Sequence, residues 1–351
     1  MKKKTEVRAY NFSYLYPSLL FPGKSQFETD FNEEEYAKPV LHSSNPFKWK
    51  KAANEILKDN PDHLIICYWH PYFAPAFMKV VNTLKKNNPR IRIHLLAHNV
   101  VPHEKFPMGE ILSKRLINQS DNLIVISEKS TKEAENLGVK TNVTKLFHPV
   151  YEQSFPEETE SELRTKYGVE EVEHVFLFFG LIRSYKGLDI MIKALNKIDL
   201  KKHKIRPLIA GEFYANKNDL LSMIKSEHRD FYIIVDRFVS DYEMAEIFTI
   251  SDVLVMPYKS ATQSGILANA INFNVPVIVS SLTGLTEHVH KNVNAFTFEP
   301  GDIEGLKNDI IKLTDKKTRE AFKEALKPLK SDLSWSTFSD ELLHKISKEN
   351  P

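Results

Sequence analysis

Short apolar runs alternate with amphipathic, helix-like stretches along almost the whole chain, and the series restarts once near its middle. Strands buried on both faces of a parallel sheet read as continuous apolar runs, and each needs a crossover helix before the next strand. The rhythm therefore predicts an α/β chain with two consecutive doubly wound parallel sheets, each at the centre of a Rossmann-like domain. The strands are predicted at 63–69, 91–97, 122–127, 143–148, 175–179, 207–210, 231–235, 253–256, 275–279 and 295–298.

The length of 351 residues also favours two domains over one. The first series ends near residues 148–151, and the acidic, polar stretch that follows is typical of an interdomain connection. We therefore expect a first domain over 1–150, a second over 151–334 and a final helix over 335–351.

Charge and cysteine content exclude several classes of protein. The 48 basic residues are nearly balanced by 46 acidic ones, and the net charge of +2 argues against a nucleic-acid-binding protein. The single cysteine, Cys67, rules out an internal disulfide, and its apolar neighbours predict a buried side chain. Because no long apolar span or signal sequence is present, we expect a cytoplasmic protein. The basic run 48–51 is either simply solvated or makes weak peripheral contact with an anionic membrane.

A loop rich in glycine and cations follows the first predicted strand of the second half. It carries Gly180, Arg183, Lys186 and Gly187, and a helix comes next. A diphosphate needs multidentate cationic donors, and arginine and lysine supply them. The loop therefore indicates a phosphate site at the carboxyl end of a strand, although a merely solvated basic loop would have the same composition.

Two further loops follow predicted strands of the same sheet. The segment 257–265 is small and polar where a helix begins near Gly265, so backbone N–H groups and the helix dipole favour an anion there. The alternative is an ordinary N-cap by Thr262 or Ser264. The loop after 275–279 again places a glycine, Gly284, and a carboxylate, Glu287, at a strand end. Three such loops on one sheet indicate a ligand site.

The strings 179–189, 251–258, 261–265 and 276–278, with Gly284 and Glu287, resemble family four of the glycosyltransferases in both order and spacing. Members of that family are retaining enzymes of the GT-B fold, in which two Rossmann-like domains face each other across a cleft. The segment 98–104 is similar to the acceptor-side loop of the family. The segment at 334–335 resembles the closing segment, which implies that the last helix, 335–351, packs back on the first domain.

The resemblance also implies roles for individual residues. Arg183 and Lys186 would bind the donor diphosphate, although Arg183 is shifted from the usual arginine position, which Leu181 occupies here. His98 would touch the donor sugar near the reacting carbon. The other implied positions are, on the donor side, Gly180, Gln263, Ser264, Gly265, Asn269, Gly284 and Glu287, and, on the acceptor side, His103 and Glu104.

The chain departs from the family pattern in two places. Ala261 and Asn269 stand where the family commonly has two glutamates, the first holding the transferred sugar and the second the nucleotide ribose. A neutral amide still accepts a hydrogen bond from a ribose hydroxyl. The first strand of the family, with its glycine-rich loop and helix, is not recognisable before residue 7, so the first domain is expected to lack this opening unit.

The sequence therefore predicts a glycosyltransferase that moves a sugar from a nucleotide sugar to a glycan or lipid-linked acceptor, with retention, in surface polysaccharide or glycoconjugate biosynthesis. The alternative is a non-catalytic GT-B homologue that binds a nucleotide sugar or a partner glycosyltransferase. No cofactor is expected besides the nucleotide sugar as co-substrate. No metal is expected either, because cationic side chains can stabilise the leaving group and no cluster with ligand spacing is present.

Overall fold

The computed structural model describes residues 5–16, 37–101, 106–151, 153–261 and 264–347. The chain divides into two compact units, one of residues 1–147 with 339–351 and one of residues 148–338. The helix α13 (Trp335–Ser347) crosses the boundary between the two units in the sequence.

The first unit contains parallel sheets with covering helices. β1 (Tyr10–Tyr14) pairs with β2 (Lys38–His42), and a second sheet has the order β3-β4-β5-β6. The strands of this second sheet are β3 (His63–Tyr68), β4 (Arg92–Ala97), β5 (Asn122–Val125) and β6 (Asn142–Lys145). The helices are α1 (Pro46–Lys58), α2 (Ala74–Asn87), α3 (Gly109–Ile117) and α4 (Glu128–Leu137).

Aromatic side chains fill the core of the first unit around Phe73. This residue lies in a 3-10 turn (Pro71–Phe73) directly after β3, is fully buried, and packs against Phe12 at 5.1 Å and Trp69 at 4.6 Å between ring centroids. Cys67 on β3 is exposed, so the prediction of a buried thiol is wrong. Successive side chains of a strand point to opposite faces, and Ile66 and Tyr68 take the buried one.

The second unit is built on one six-stranded parallel sheet with the order β12-β11-β10-β7-β8-β9. Its strands are β7 (His174–Phe179), β8 (Ile205–Ala210), β9 (Ile233–Val235), β10 (Val253–Met256), β11 (Val277–Ser280) and β12 (Ala295–Phe298). Its helices are α5 (Glu160–Lys166), α6 (Leu188–Leu195), α7 (Lys217–Ser222), α8 (Asp241–Thr249), α9 (Gly265–Asn272), α10 (Thr283–Thr286), α11 (Ile303–Lys312) and α12 (Lys316–Asp332).

The strand order reverses between β7 and β10. From β7 the chain continues outward through β8 and β9, and it then returns to add β10, β11 and β12 on the other side. In an open α/β sheet the loops on either side of such a switch point diverge and leave a crevice beyond the carboxyl ends of the strands. The topology therefore points to the segments after β7 and β10, which are two of the three loops that the sequence singles out.

Candidate active site

Two glycines allow the loops at the switch point to approach one another closely. Gly187 has a left-handed φ of 74°, and a Cβ there would lie 1.9 Å from the carbonyl oxygen of Pro257. A Cβ on Gly211, after β8, would lie 2.3 Å from the carbonyl oxygen of Gly180. Only glycine fits such approaches. The Lys259 N–H also donates to the Tyr185 carbonyl at 2.7 Å, so the loops after β7 and β10 are joined directly.

This packing places Lys186 beside the start of α9. The residue ends a short 3-10 turn (Ser184–Lys186) that precedes α6. A Cβ on Gly180 would lie 2.9 Å from the Lys186 Nζ and 2.7 Å from the Cδ1 of Ile266 in the first turn of α9. The Lys186 ammonium group and the Ile266 side chain therefore both lie over the Cα of Gly180, which has no side chain to separate them.

Lys186 is a buried cation without an acidic partner. Its side chain is 6% exposed, and no ion pair or hydrogen bond joins it to any residue within the described parts of the chain. Its Nζ lies 5.8 Å from the ring centroid of Tyr258. Burial, with repulsion from Arg183, lowers the pKa of Lys186 to about 8. Burying an uncompensated charge is costly, so the arrangement favours an anionic ligand at this ammonium group.

Arg183 lies over the ring of Tyr214, with its guanidinium carbon 5.4 Å from the ring centroid. Backbone hydrogen bonds align the two segments: the Ile182 N–H donates to the Glu212 carbonyl at 2.8 Å, and the Tyr214 N–H donates to the Ile182 carbonyl at 3.0 Å. A cation over an aromatic face is held by the ring quadrupole. The loop after β8 therefore supports the arginine whose position is shifted in the sequence.

The start of α9 has backbone donors for which no described residue is an acceptor. Ser264 is the N-cap residue, but its side chain makes no capping hydrogen bond, contrary to one of the sequence alternatives. Its carbonyl accepts from the N–H groups of Leu267 and Ala268 at 3.1 and 3.4 Å. The N–H groups of Gly265 and Ile266 have no acceptor among the residues placed in the structure. They therefore remain available to an anion.

Asn269 lies one turn further along α9 and is 7% exposed. Its Nδ2 donates to the sulfur of Met244 on α8 at 3.1 Å, and its Oδ1 has no described partner. Gly284 is buried in α10, directly after β11, and Glu287 follows at the end of that helix, half-buried. The donor-side positions Gly180, Lys186, Ser264, Gly265, Asn269, Gly284 and Glu287 thus all follow the carboxyl ends of β7, β10 or β11.

His98 belongs to the first unit and directly follows β4. Its N–H donates to the Tyr68 carbonyl at 2.8 Å, and burial lowers the pKa of its imidazole, which is therefore neutral at pH 7. His103, Glu104 and Gln263 lie outside the described residues. In the described parts of the chain, no three His, Cys, Asp or Glu side chains are grouped so as to hold a metal ion, and no helix is long and apolar enough to cross a membrane.

Comparison with known proteins assigns the class. Residues 159–327, which contain the loops after β7, β8, β10 and β11, match the family model described as Glycosyl transferases group 1. The chain is 26% identical over 198 residues to an uncharacterized glycosyltransferase of Methanocaldococcus jannaschii, covering 55% of this chain and half the length of that protein. It is 23% identical over 273 residues to the N-acetyl-alpha-D-glucosaminyl L-malate synthase of Bacillus anthracis, covering 75% of this chain and 68% of that one.

The fold is also that of solved glycosyltransferases. The crystal structure of HepE from Anabaena in complex with UDP superposes with a TM-score of 0.71 at 15% identity, over 90% of this chain and 87% of that one. The matched domain and the similar proteins support a glycosyltransferase, and the superposition shows the fold. More particularly, residues 159–327 are a glycosyl transferases group 1 domain within a chain of the GT-B fold, as the sequence predicts.

Proposed function

We propose that the chain transfers a sugar from a nucleotide-sugar donor to a glycan or lipid-linked acceptor, with retention of anomeric configuration. The observation that carries this proposal is the buried ammonium of Lys186, which has no acidic partner in the described residues and lies near the Ile266 side chain in the first turn of α9, at the switch point of the sheet. A nucleoside diphosphate supplies the missing negative charge. HepE, of the same fold, is known in complex with UDP and with UDP-glucose, which supports a ligand of this kind.

Glycosyl transfer breaks the anomeric C–O bond, and negative charge develops on the departing diphosphate. Groups fixed in advance where charge develops stabilise the transition state more than flexible ones. Lys186, Arg183 and the first turn of α9 are such groups, and we propose that they replace a metal ion. In a retaining transfer the leaving phosphate accepts the acceptor proton, so no protein carboxylate is needed as a nucleophile.

The remaining roles follow the same proposal. Gln263, Gly265 and Gly284 contact the donor, Glu287 accepts from sugar hydroxyls, and Asn269 accepts from the ribose. His98 contacts the transferred sugar as a neutral imidazole. We propose acceptor-side roles for His103 and Glu104, which lie outside the described residues.

We further propose that the protein acts in the cytoplasm in surface polysaccharide or glycoconjugate biosynthesis, with weak contact to the inner membrane face. Phe47 at the start of α1 is 93% exposed, and Lys48, Lys50 and Lys51 beside it are exposed as well. An apolar side chain among lysines favours an anionic lipid surface.

A second candidate function is a non-catalytic homologue that binds a nucleotide sugar or a partner glycosyltransferase. The observation that favours it is the neutral pair Ala261 and Asn269 at the two positions where glutamates are usual. The amide of Asn269 is directed in part to Met244 rather than to a ligand. Binding without turnover would distinguish this function from the first.

The test is thermal denaturation with UDP, GDP and ADP sugars, on the wild type, Lys186→Ala and the matched control Lys202→Ala, whose side chain is exposed. A ligand at one hundred times its Kd stabilises the folded state by about 2.7 kcal/mol. We expect one nucleotide class to raise the Tm of the wild type and of Lys202→Ala but not of Lys186→Ala. A wild type that responds to no nucleotide sugar would contradict the proposal, and product formation with the bound donor separates the enzyme from the non-catalytic homologue.

A further inference from the structure

Tyr151 lies against the first residue of α9. The segment before it is fixed, because the Val150 N–H donates to the Leu333 carbonyl at 2.8 Å and the Val150 side chain is buried. A Cβ built on Gly265 would lie 3.1 Å from the Tyr151 Cε2 and 3.3 Å from its hydroxyl oxygen. The tyrosine ring therefore packs directly on the bare Cα of Gly265, at the turn with the unused N–H groups.

The hydroxyl of Tyr151 is a donor without an acceptor. The side chain is 38% exposed, and no hydrogen bond to it is present within the described residues. Partial burial raises the pKa of the phenol, so the group keeps its proton at neutral and mildly basic pH. The ring of His148 packs edge-on at 5.6 Å between centroids and limits the ring's movement.

The first turn of α9, beside this hydroxyl, favours negative charge. The N–H groups of Gly265 and Ile266, which have no acceptor among the described residues, lie in the adjacent turn, and the helix dipole adds partial positive charge there. The buried ammonium of Lys186 lies near the Ile266 side chain of the same turn, and both lie over the bare Cα of Gly180. An anion held by these groups lies within reach of a hydroxyl placed on Gly265.

We propose that Tyr151 is a further donor-binding residue, whose hydroxyl donates a hydrogen bond to a phosphate oxygen of the nucleoside diphosphate at the first turn of α9. The inference rests on the function proposed above and adds a contact from outside the matched domain, which begins at residue 159. It also gives Gly265 a reason to lack a side chain, because any Cβ would lift the ring away from the anion.

The test compares the Kd values of UDP, GDP and ADP for the wild type, Tyr151→Phe and Tyr242→Phe, measured by calorimetry. Phenylalanine keeps the packing on Gly265 and removes only the hydroxyl. A hydrogen bond to a charged group is worth about a factor of ten or more in affinity, so Tyr151→Phe should bind the diphosphate about tenfold more weakly. Tyr242→Phe removes a hydroxyl that bonds to Glu158 instead, and its Kd should equal that of the wild type.

A second variant separates the hydroxyl from general packing. Gly265→Ala should displace the ring and weaken diphosphate binding in the wild-type background, with a smaller effect in the Tyr151→Phe background, because the hydroxyl is already absent. If Tyr151→Phe binds the diphosphate as tightly as the wild type while Lys186→Ala does not bind it, this inference is wrong and the proposed function stands. If the wild type binds none of the three diphosphates, the proposed function itself fails.

Discussion

Replacing Lys186 by methionine should stabilise the ligand-free protein while removing its response to nucleotides. Burial lowers the pKa of Lys186 from 10.5 to about 8, so at pH 7 the folded chain carries a charge that its surroundings disfavour. One pKa unit corresponds to about 1.36 kcal/mol, which gives an upper limit of about 3 kcal/mol for this destabilisation. Methionine has a similar length and no charge, so we expect a gain of about 1–3 kcal/mol.

The sign of the pH dependence follows from the lowered pKa. Between about pH 8 and 10.5 the unfolded chain binds the Lys186 proton and the folded chain does not, so stability rises with pH in this window. The destabilisation is fully present below pH 8 and is relieved as the pH approaches 10.5. The advantage of Lys186→Met over the wild type should therefore be largest at pH 7 and shrink by pH 9.5.

Urea denaturation of both proteins without ligand at pH 7 and pH 9.5 measures this difference. Other groups titrate alike in the two proteins and cancel in the comparison. Lys202→Met, at an exposed position, should change stability little at either pH. A Lys186→Met protein that is less stable than the wild type at pH 7, or whose advantage does not depend on pH, would refute the argument that this ammonium is buried without compensation.

Two further predictions concern the loops around Lys186. Gly187→Ala should destabilise the second unit by about 2–4 kcal/mol in urea denaturation, because its Cβ would collide with the Pro257 carbonyl. The control Gly168→Ala, with φ at 66° and open space around it, should cost only about 1 kcal/mol of backbone strain. Equal losses of stability in the two variants would contradict this prediction. Tyr214→Leu should weaken diphosphate binding about two- to fivefold in calorimetry, because it removes the ring that holds the Arg183 guanidinium. Tyr214→Phe keeps the ring and should bind the diphosphate as tightly as the wild type. A Phe variant that binds as weakly as the Leu variant would show that the ring does not hold the guanidinium.

The sheet of the second unit could be predicted from the sequence because each strand is a continuous apolar run between loops. The ends of individual strands and helices are harder to predict from the sequence. The run at 231–235 was predicted as one strand, but Phe231 ends a 3-10 turn (Ser226–Phe231) and β9 begins only at Ile233. Local propensity does not reveal where tertiary packing favours a tighter turn.

The candidate site divides in the same way. Lys186 and Gly180 stand in one local string with a strand before it and a helix after it, so the sequence pattern is sufficient to find them. Tyr151, Gly211 and Tyr214 are brought to the site by packing between segments distant in sequence, and no local pattern marks them. The exposure of Cys67 is not marked in the sequence either, because the apolar run of β3 does not show which face of the strand the rest of the unit covers.

The buried ammonium also predicts that diphosphate binding takes up a proton at basic pH. Free Lys186 is mostly neutral at pH 9, since its pKa is about 8, whereas a bound diphosphate raises that pKa by direct attraction. Binding at pH 9 should therefore take up close to one proton, and binding at pH 7 very little. Calorimetry of UDP, GDP or ADP in buffers of different ionisation enthalpy measures the proton uptake. Any binding that remains in Lys186→Met should take up no proton at pH 9. Diphosphate binding with equal proton uptake at both pH values would mean that the anion does not contact Lys186.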